Sequence, residues 1–222
     1  MLSFIPTPIG NTQDITLRAL DLMRNLQIFL CEDTRTTKKL FNIYDISLTG
    51  KQFFPLPQWW NANRLHQIED ILHHQHCGVL SEAGSPWLSD PGKILIKYAH
   101  EHNIDVEVLP GATALIPAVI AAPTDTSSFL YAWFPPAKKW RKTFFSHVMT
   151  STHPVFFYES VHRVEKALSE LQDLWYNGHV AISREISKKF EQHVTGTCAD
   201  ILAGFADGTI PLKWEFVVCL YA

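Results

Sequence analysis

Short apolar, β-rich runs and amphipathic helical stretches take turns along this chain, and no other feature of the sequence constrains its fold as strongly. LSFIP (2–6) precedes DITLRALDLMRNL (14–26), in which Ile15, Leu17, Leu20, Leu22 and Met23 largely fall on one helical face. QIFLC (27–31), a helical TKKLFNIY (37–44), KQFFPL (51–56), NRLHQIEDILHH (63–74), CGVLS (77–81), KILIKYAHEH (93–102) and DVEVLP (105–110) continue the pattern. Alternation of this kind predicts a mostly parallel sheet with covering helices, an α/β fold.

After a helix-like ATALIPAVIAA (112–122), the stretch PTDTSS (123–128) breaks all periodicity and reads as a linker. The expected organisation is therefore an N-terminal α/β domain over 1–122 and a C-terminal α/β domain over 123–222. The second half resumes with FLYAWF (129–134), a helix (141–149), PVFFYES (154–160), a helix (161–174), HVAISRE (179–185), FEQHVTG (190–196), a helix (198–206) and WEFVVCLY (214–221). It is richer in neighbouring strands than the first. Two such domains joined by a linker create a cleft, where small ligands usually bind.

With 222 residues, 46% of them apolar, there is ample material for packed cores. Lys and Arg total 19 against 22 Asp and Glu, so a net charge of -3 announces neither a nucleic-acid nor a membrane surface, and any RNA affinity has to come from local clusters. Cys31, Cys77, Cys198 and Cys219 lie far apart without C-x-x-C spacing, which argues against a zinc site or redox pair and suits buried thiols in a reducing compartment. MLSFIPTPIG has no basic start before a long apolar stretch, and no apolar run approaches the ~20 residues that span a bilayer. A soluble, cytoplasmic protein is expected.

The glycines form no G-x-G and no G-x-x-x-x-G-K-S/T, so dinucleotide and P-loop fingerprints are absent. Ligands of α/β sheets bind outside the carboxyl ends of strands. Three loops follow strands directly: PTPIGN (6–11), SEAGSPWLSDPG (81–92) and LPGATAL (109–115). Each offers backbone N–H groups with little side-chain bulk, suited to a small polar ligand. Any one of them alone is better read as an ordinary turn; three together favour a site.

These loops, in this order, resemble the tetrapyrrole methylase superfamily of S-adenosylmethionine (SAM) dependent methyltransferases, and within it the branch that methylates a ribose 2′-oxygen of 16S ribosomal RNA. The stretches that carry the likeness are PTPIGNTQDITLRAL (6–20), EDTRTTKKL (32–40), SEAGSPWLSDPG (81–92), LPGATALIPA (109–118), FYESVHR (157–163) and SREISKKFEQHVTGT (183–197). The resemblance implies a non-Rossmann fold of two α/β domains with SAM between them. It implies that Gly84, Ser85 and Pro86 floor the methionine part of SAM, with Ala83, Leu88, Asp90, Pro8 and Gly10 beside them. Thr113 and Ala114 would face the adenosyl group; Tyr158, Glu159 and Ile186 would complete the pocket, with Gly196 and Thr197 near the adenine. A homodimer acting on small-subunit ribosomal RNA is implied as well, and no metal. Glu82 stands where the family usually has Asp, and LPQWWNANR (56–64) replaces a segment bearing His and Asn. The resembling enzymes also carry a helical region past the position of Ala222, whose RNA contacts are not expected here.

A ribose hydroxyl is a poor nucleophile and needs a nearby base or cation, which makes Glu32, Asp33, Glu159, Arg184 and Lys188 candidates, with Arg35 able to hold a phosphate. Against this, Asp33 or Thr34 could be only an N-cap, and Arg184 to Lys189 only a solvated charged edge. Lys138, Lys139, Trp140, Arg141 and Lys142 form the densest basic cluster and pair charge with an aromatic, as phosphate contact and base stacking require. A mobile surface loop is the equally credible reading. His73, His74 and His76 read as an exposed cluster rather than a metal site, and Trp59 and Trp60 allow base stacking without requiring it. Methylation of a small molecule such as a tetrapyrrole precursor, or SAM binding without transfer, are the competing functions, because a fold alone assigns no substrate.

Overall fold

The computed structural model describes residues 1–56, 62–86 and 93–222, and the side chains of all of these but 62–67, 93 and 94. The chain groups into two compact units, Met1–Thr113 and Ala114–Ala222.

In the first unit, strands β1 (Leu2–Ile5), β2 (Ile28–Cys31), β3 (Gln52–Pro55), β4 (Cys77–Leu80) and β5 (Val106–Val108) alternate with helices α1 (Leu17–Asn25), α2 (Thr34–Ile43), α3 (Ala62–His74) and α4 (Lys93–Glu101). The strand order is β3-β2-β4-β1-β5 and every pair is parallel, with Leu2 opposite both Cys77 and Val106. Successive side chains of a strand point to opposite faces, so runs that are apolar throughout must be covered on both. Leu2, Phe4, Ile28, Leu30 and Val79 pack on one side with Leu72 of α3 and Leu95 of α4. Ile5, Phe29, Cys31 and Leu80 pack on the other with Met23 of α1 and Phe41 of α2. Gly78 of β4 is where the Phe29 ring lies against the sheet: a Cβ there would sit 2.8 Å from two ring carbons.

Among the helix starts that differ from the periodicity, caps explain two. Helix α1 begins at Leu17 rather than at residue 14, because Thr16 accepts from the Ala19 amide at 3.1 Å and ends the preceding 3-10 turn, Thr12–Asp14. Helix α2 begins at Thr34 rather than at 37, because Asp33 caps it.

The second unit holds α5 (Leu115–Ala121), β6 (Leu130–Tyr131), α6 (Arg141–Val148), β7 (Val155–Glu159), α7 (Val164–Asp173), β8 (His179–Arg184), β9 (Gln192–Gly196), α8 (Cys198–Asp207) and β10 (Phe216–Tyr221). Its sheet runs β6-β7-β10-β8-β9; β6 and β7 are parallel and the other pairs antiparallel. Phe145 of α6, Leu168 and Leu171 of α7 and Ile201 and Phe205 of α8 cover Phe157, Ile182 and Val218. Helix α5, placed by the sequence reading at the end of the first domain, groups with the second unit because it packs against β8 and β10. Residues 123–128 then connect α5 to β6. Cys31, Cys77, Cys198 and Cys219 are all buried thiols. Among the described residues, no helix is long and apolar enough to cross a membrane.

Candidate functional site

Because the first sheet is wholly parallel, the loops after β1, β4 and β5 leave it at one edge, and they are tied to each other there. Thr7 and Gly84 form an isolated antiparallel bridge, Thr7 N donating to Gly84 O at 2.9 Å and Gly84 N to Thr7 O at 3.0 Å. The Ser81 hydroxyl donates to Gly84 O at 2.9 Å and the Ser85 hydroxyl to Ala112 O at 3.2 Å, so the third loop is held to the second. Gly84 has φ +81°, and a Cβ on it would meet Ile9 Cγ2 at 3.2 Å and Ala112 O at 3.5 Å. Its glycine is therefore required by the joint between the loops themselves, not only by room for a ligand as the sequence suggested. Pro8, Ser85, Pro86, Ala112 and Thr113 are half-buried, and Gly10 and Ala83 exposed. A ligand resting on this edge meets small side chains and main chain on a fixed frame.

The β2 loop brings carboxylates to the same edge. The Glu82 amide donates to Glu32 Oε2 at 2.9 Å, and the Glu32 amide to Leu80 O at 3.1 Å. Asp33 Oδ1 accepts from the amides of Arg35 (2.7 Å) and Thr36 (2.9 Å), while Oδ2 accepts from Arg35 Nη2 at 3.0 Å. The Arg35 side chain, then the Thr36 amide, pull the Asp33 carboxyl down from 3.8 to about 2. Asp33 is thus a cap, and a weak base. Its neighbour Glu82 is shifted upward, by lost hydration first and then by repulsion from Glu32 and Asp33, which makes it a better proton acceptor. Sequence reasoning treated Glu82 only as a variant of Asp; no local signal marks the charge crowding, which arises where β2 and β4 lie side by side.

Because the Asp33 value is depressed in the folded state, its stabilisation is complete above about pH 4 and disappears as the pH falls toward 2. The variant Asp33→Asn should keep a cap and flatten the acid limb of melting temperature against pH in that window. An unchanged limb would show that the Arg35 contact does not persist in solution.

In the second unit, Phe216 pairs with both Glu159 and Arg184, so the ends of β7 and β8 and the start of β10 share one edge. Tyr158 is half-buried there in a cluster with Tyr131, Trp133 and Phe134. Glu159 does not face solvent. It is 0% exposed, with Arg163 Nε at 2.9 Å, Arg141 Nη1 at 3.0 Å and the Ser160 amide at 2.9 Å. Arg141 in turn bonds Glu170 of α7 at 2.7 Å. The expected catalytic and cofactor roles of Glu159 thus meet a carboxylate already surrounded by cations, and Arg141, only 3% exposed, is no part of an open basic cluster.

Arg184 is also buried, its Nη1 holding Phe190 O and Gln192 Oε1, both at 3.3 Å. Ile186 is buried, and Lys188 reaches Glu185 Oε1 at 3.1 Å. Gly196 and Thr197 are not brought to this edge. Gly196 pairs with Val180 near the start of β8, at the opposite end of the sheet from Arg184. Thr197 caps α8, accepting from the Asp200 amide at 3.2 Å while Asp200 Oδ2 takes its hydroxyl at 2.7 Å, so side chain and cap are committed to each other. Ala114 is the N-cap of α5.

Leu88, Asp90, Trp59 and Trp60 lie outside the described residues. His76 bonds Ser3 at 2.8 Å, His74 the Asp70 carbonyl at 2.9 Å, and His73 lies beside Tyr98 and His102, so the three histidines serve different partners. Among the described residues, no group of three or more His, Cys, Asp or Glu side chains could hold a metal ion.

The profile of the family described as Tetrapyrrole (Corrin/Porphyrin) Methylases matches residues 1–202. The chain is 36% identical to the ribosomal RNA small subunit methyltransferase I of Helicobacter pylori (strain ATCC 700392 / 26695), over 98% of this chain and 82% of that one. It is 31% identical to the protein of that name from Mycoplasma pneumoniae, over 99% of this chain and 79% of that one. Among solved structures it is similar to a diphthine synthase (TM-score 0.73, 10% identity, 99% of this chain and 89% of that one). It is similar also to a uroporphyrin-III C-methyl transferase from Thermus thermophilus complexed with S-adenyl homocysteine (TM-score 0.62, 16% identity, 98% and 91%). At such identities the structures share the fold alone, whereas the profile spans both units. This chain belongs to the tetrapyrrole methylase family of methyltransferases.

Proposed function

We propose that this protein transfers the methyl group of SAM to a ribose 2′-oxygen in the ribosomal RNA of the small subunit. The substrate reading is carried by the names of relatives 31% and 36% identical over nearly the whole chain. The cofactor reading is supported by the cross-tied edge of the first sheet. Ser85, Pro86, Pro8 and Thr113 present small, half-buried surfaces there, and Thr7 and Gly84 lock the loops that carry them. We assign SAM to those loops, with Gly10 and Ala83 beside them.

When bound, SAM supplies a methyl group already activated on a sulfonium. What remains for the chain is to orient the hydroxyl, exclude water and hold its proton. Glu82, with its upward shift and its amide on Glu32, is the acceptor we favour; Arg35 beside it is exposed and suited to a backbone phosphate. Asp33, Glu159 and Arg184 act by holding loops in place. The proposal extends to a cytoplasmic homodimer, C2 being the commonest closed assembly.

Labelled SAM incubated with small ribosomal subunits should give label in RNA, from a particle whose scattering mass is twice that of the chain. Label appearing only in a tetrapyrrole pool would replace the RNA reading with the small-molecule one. SAM binding by calorimetry without transfer to either would leave a binding protein, and no binding heat would remove the cofactor assignment.

A further inference from the structure

We propose that the edge of the second sheet where β7 and β8 end is a binding surface for single-stranded RNA, built from three solvent-facing rings, Trp140, Phe190 and Trp214, each with a lysine over it. The inference rests on the RNA substrate proposed above and says which chemistry of this chain would grip that substrate.

The register puts all three rings at one end of the sheet. Glu159 and Arg184, the last residues of β7 and β8, both pair with Phe216, so Trp214 enters β10 where Phe190 lies in the turn leaving β8. Trp140 precedes Arg141, whose guanidinium lies 3.0 Å from Glu159 at that same end. These rings are 66%, 66% and 62% exposed. Lys139 Nζ stands 5.3 Å from the centroid of Trp140, Lys189 Nζ 5.6 Å from Phe190 and Lys188 Nζ 4.3 Å from Trp214.

Two of the rings are held out by unfavourable backbone. Trp140 has φ +69° and Trp214 φ +67°, a region that large L side chains rarely adopt. The packing of the unit gains little from them, since most of each ring's surface faces solvent. Strain kept at exposed positions points to use rather than to stability.

The charge around the rings selects the partner. Lys138, Lys142 and Lys213 add to the three lysines already named, against Glu185, Glu191 and Glu215 in the same segments. Glu191 is occupied by His193 at 2.8 Å; Glu185 pairs with Lys188 at 3.1 Å and offsets that lysine's charge, so the excess rests on Lys138, Lys139, Lys142, Lys189 and Lys213. Protein interfaces are depleted in lysine at their centres. Rings interleaved with lysines instead suit bases that stack and phosphates that pair, without reading sequence.

The test replaces Trp140 and Trp214 by Asn, which tolerates a positive φ, and Phe190 by Ala. Binding of a short single-stranded oligoribonucleotide is followed by anisotropy, with calorimetry of SAM and thermal melting alongside. Each ring removed should weaken oligonucleotide binding on the order of tenfold, with SAM binding and melting temperature kept or, for the Asn variants, raised. Changing Lys139, Lys188 and Lys189 together to Gln should make the log–log salt slope shallower by ~2. The surface is overturned if the ring variants bind RNA like the parent, or if they melt lower while binding is kept, which would make the rings structural. A scattering mass that halves in the ring variants with RNA binding intact also overturns it, as an interface between copies. If the parent methylates subunits but has no affinity for the oligonucleotide, this surface fails and the RNA substrate stands; if it does neither, the substrate reading itself fails.

Discussion

Replacing Glu159 by Ala should lower the unfolding free energy of the second unit by about 3–5 kcal/mol, the usual loss when one partner of a buried ion pair is removed. The carboxylate is 0% exposed and stands between Arg141 and Arg163, so its removal leaves Arg141, itself 3% exposed, with Glu170 as its remaining ionic partner. The double variant Glu159→Leu with Arg141→Met should recover much of that loss, because it removes both charges together and fills the space with apolar atoms. Urea denaturation followed by far-ultraviolet circular dichroism reads this loss. If Glu159→Ala kept full stability and lost methyl transfer, the residue would instead act on the substrate.

The second large effect is expected at Gly84. A valine there combines a φ of +81°, which a β-branched residue resists, with a Cβ 3.2 Å from Ile9 and 3.5 Å from the Ala112 carbonyl. The strained φ and the crowding at Ile9 should together break the Thr7–Gly84 bridge, and SAM affinity should fall by a factor on the order of 100, the equivalent of losing about two backbone hydrogen bonds with their positioning. Gly50 and Gly208 are the controls. They have φ of +76° and +80° but nothing within 4 Å of an added Cβ, so the same replacement there should strain the backbone and leave SAM binding intact. Equal loss of SAM binding in all three would mean that the joint between loops is not what holds the cofactor edge.

The parts of this fold that were legible in the sequence are those set by neighbours in the chain. Alternation located the strands and helices because a residue's face depends only on its register within one element, and the Thr16 and Asp33 caps moved helix starts by a few positions. FLYAWF, expected as a strand over 129–134, is one only at Leu130–Tyr131, since Trp133 turns to φ +56°. What could not be read is whatever depends on distant segments. Arg141 looked like a member of a basic cluster until α6 was seen to carry it onto Glu159 and Glu170. Glu82 became a candidate base only when β2 and β4 were paired. The lysine-covered rings come from segments around 140, 190 and 214, and nothing local joins them.

The strand orders also set a timetable for synthesis. In the first sheet β1 sits between β4 and β5, so Leu2–Ile5 have no partner until 77–80 and 106–108 have emerged. In the second, β10 lies between β7 and β8, and Phe216–Tyr221 must arrive before either neighbour has both edges paired. Until then the ribosome-bound chain carries exposed edges of Val155–Glu159 and His179–Arg184, two apolar strands of the kind that recruit other chains. A stalled translation product lacking β10 is thus a ready substrate for holding chaperones, because closure of the second unit waits on that strand alone.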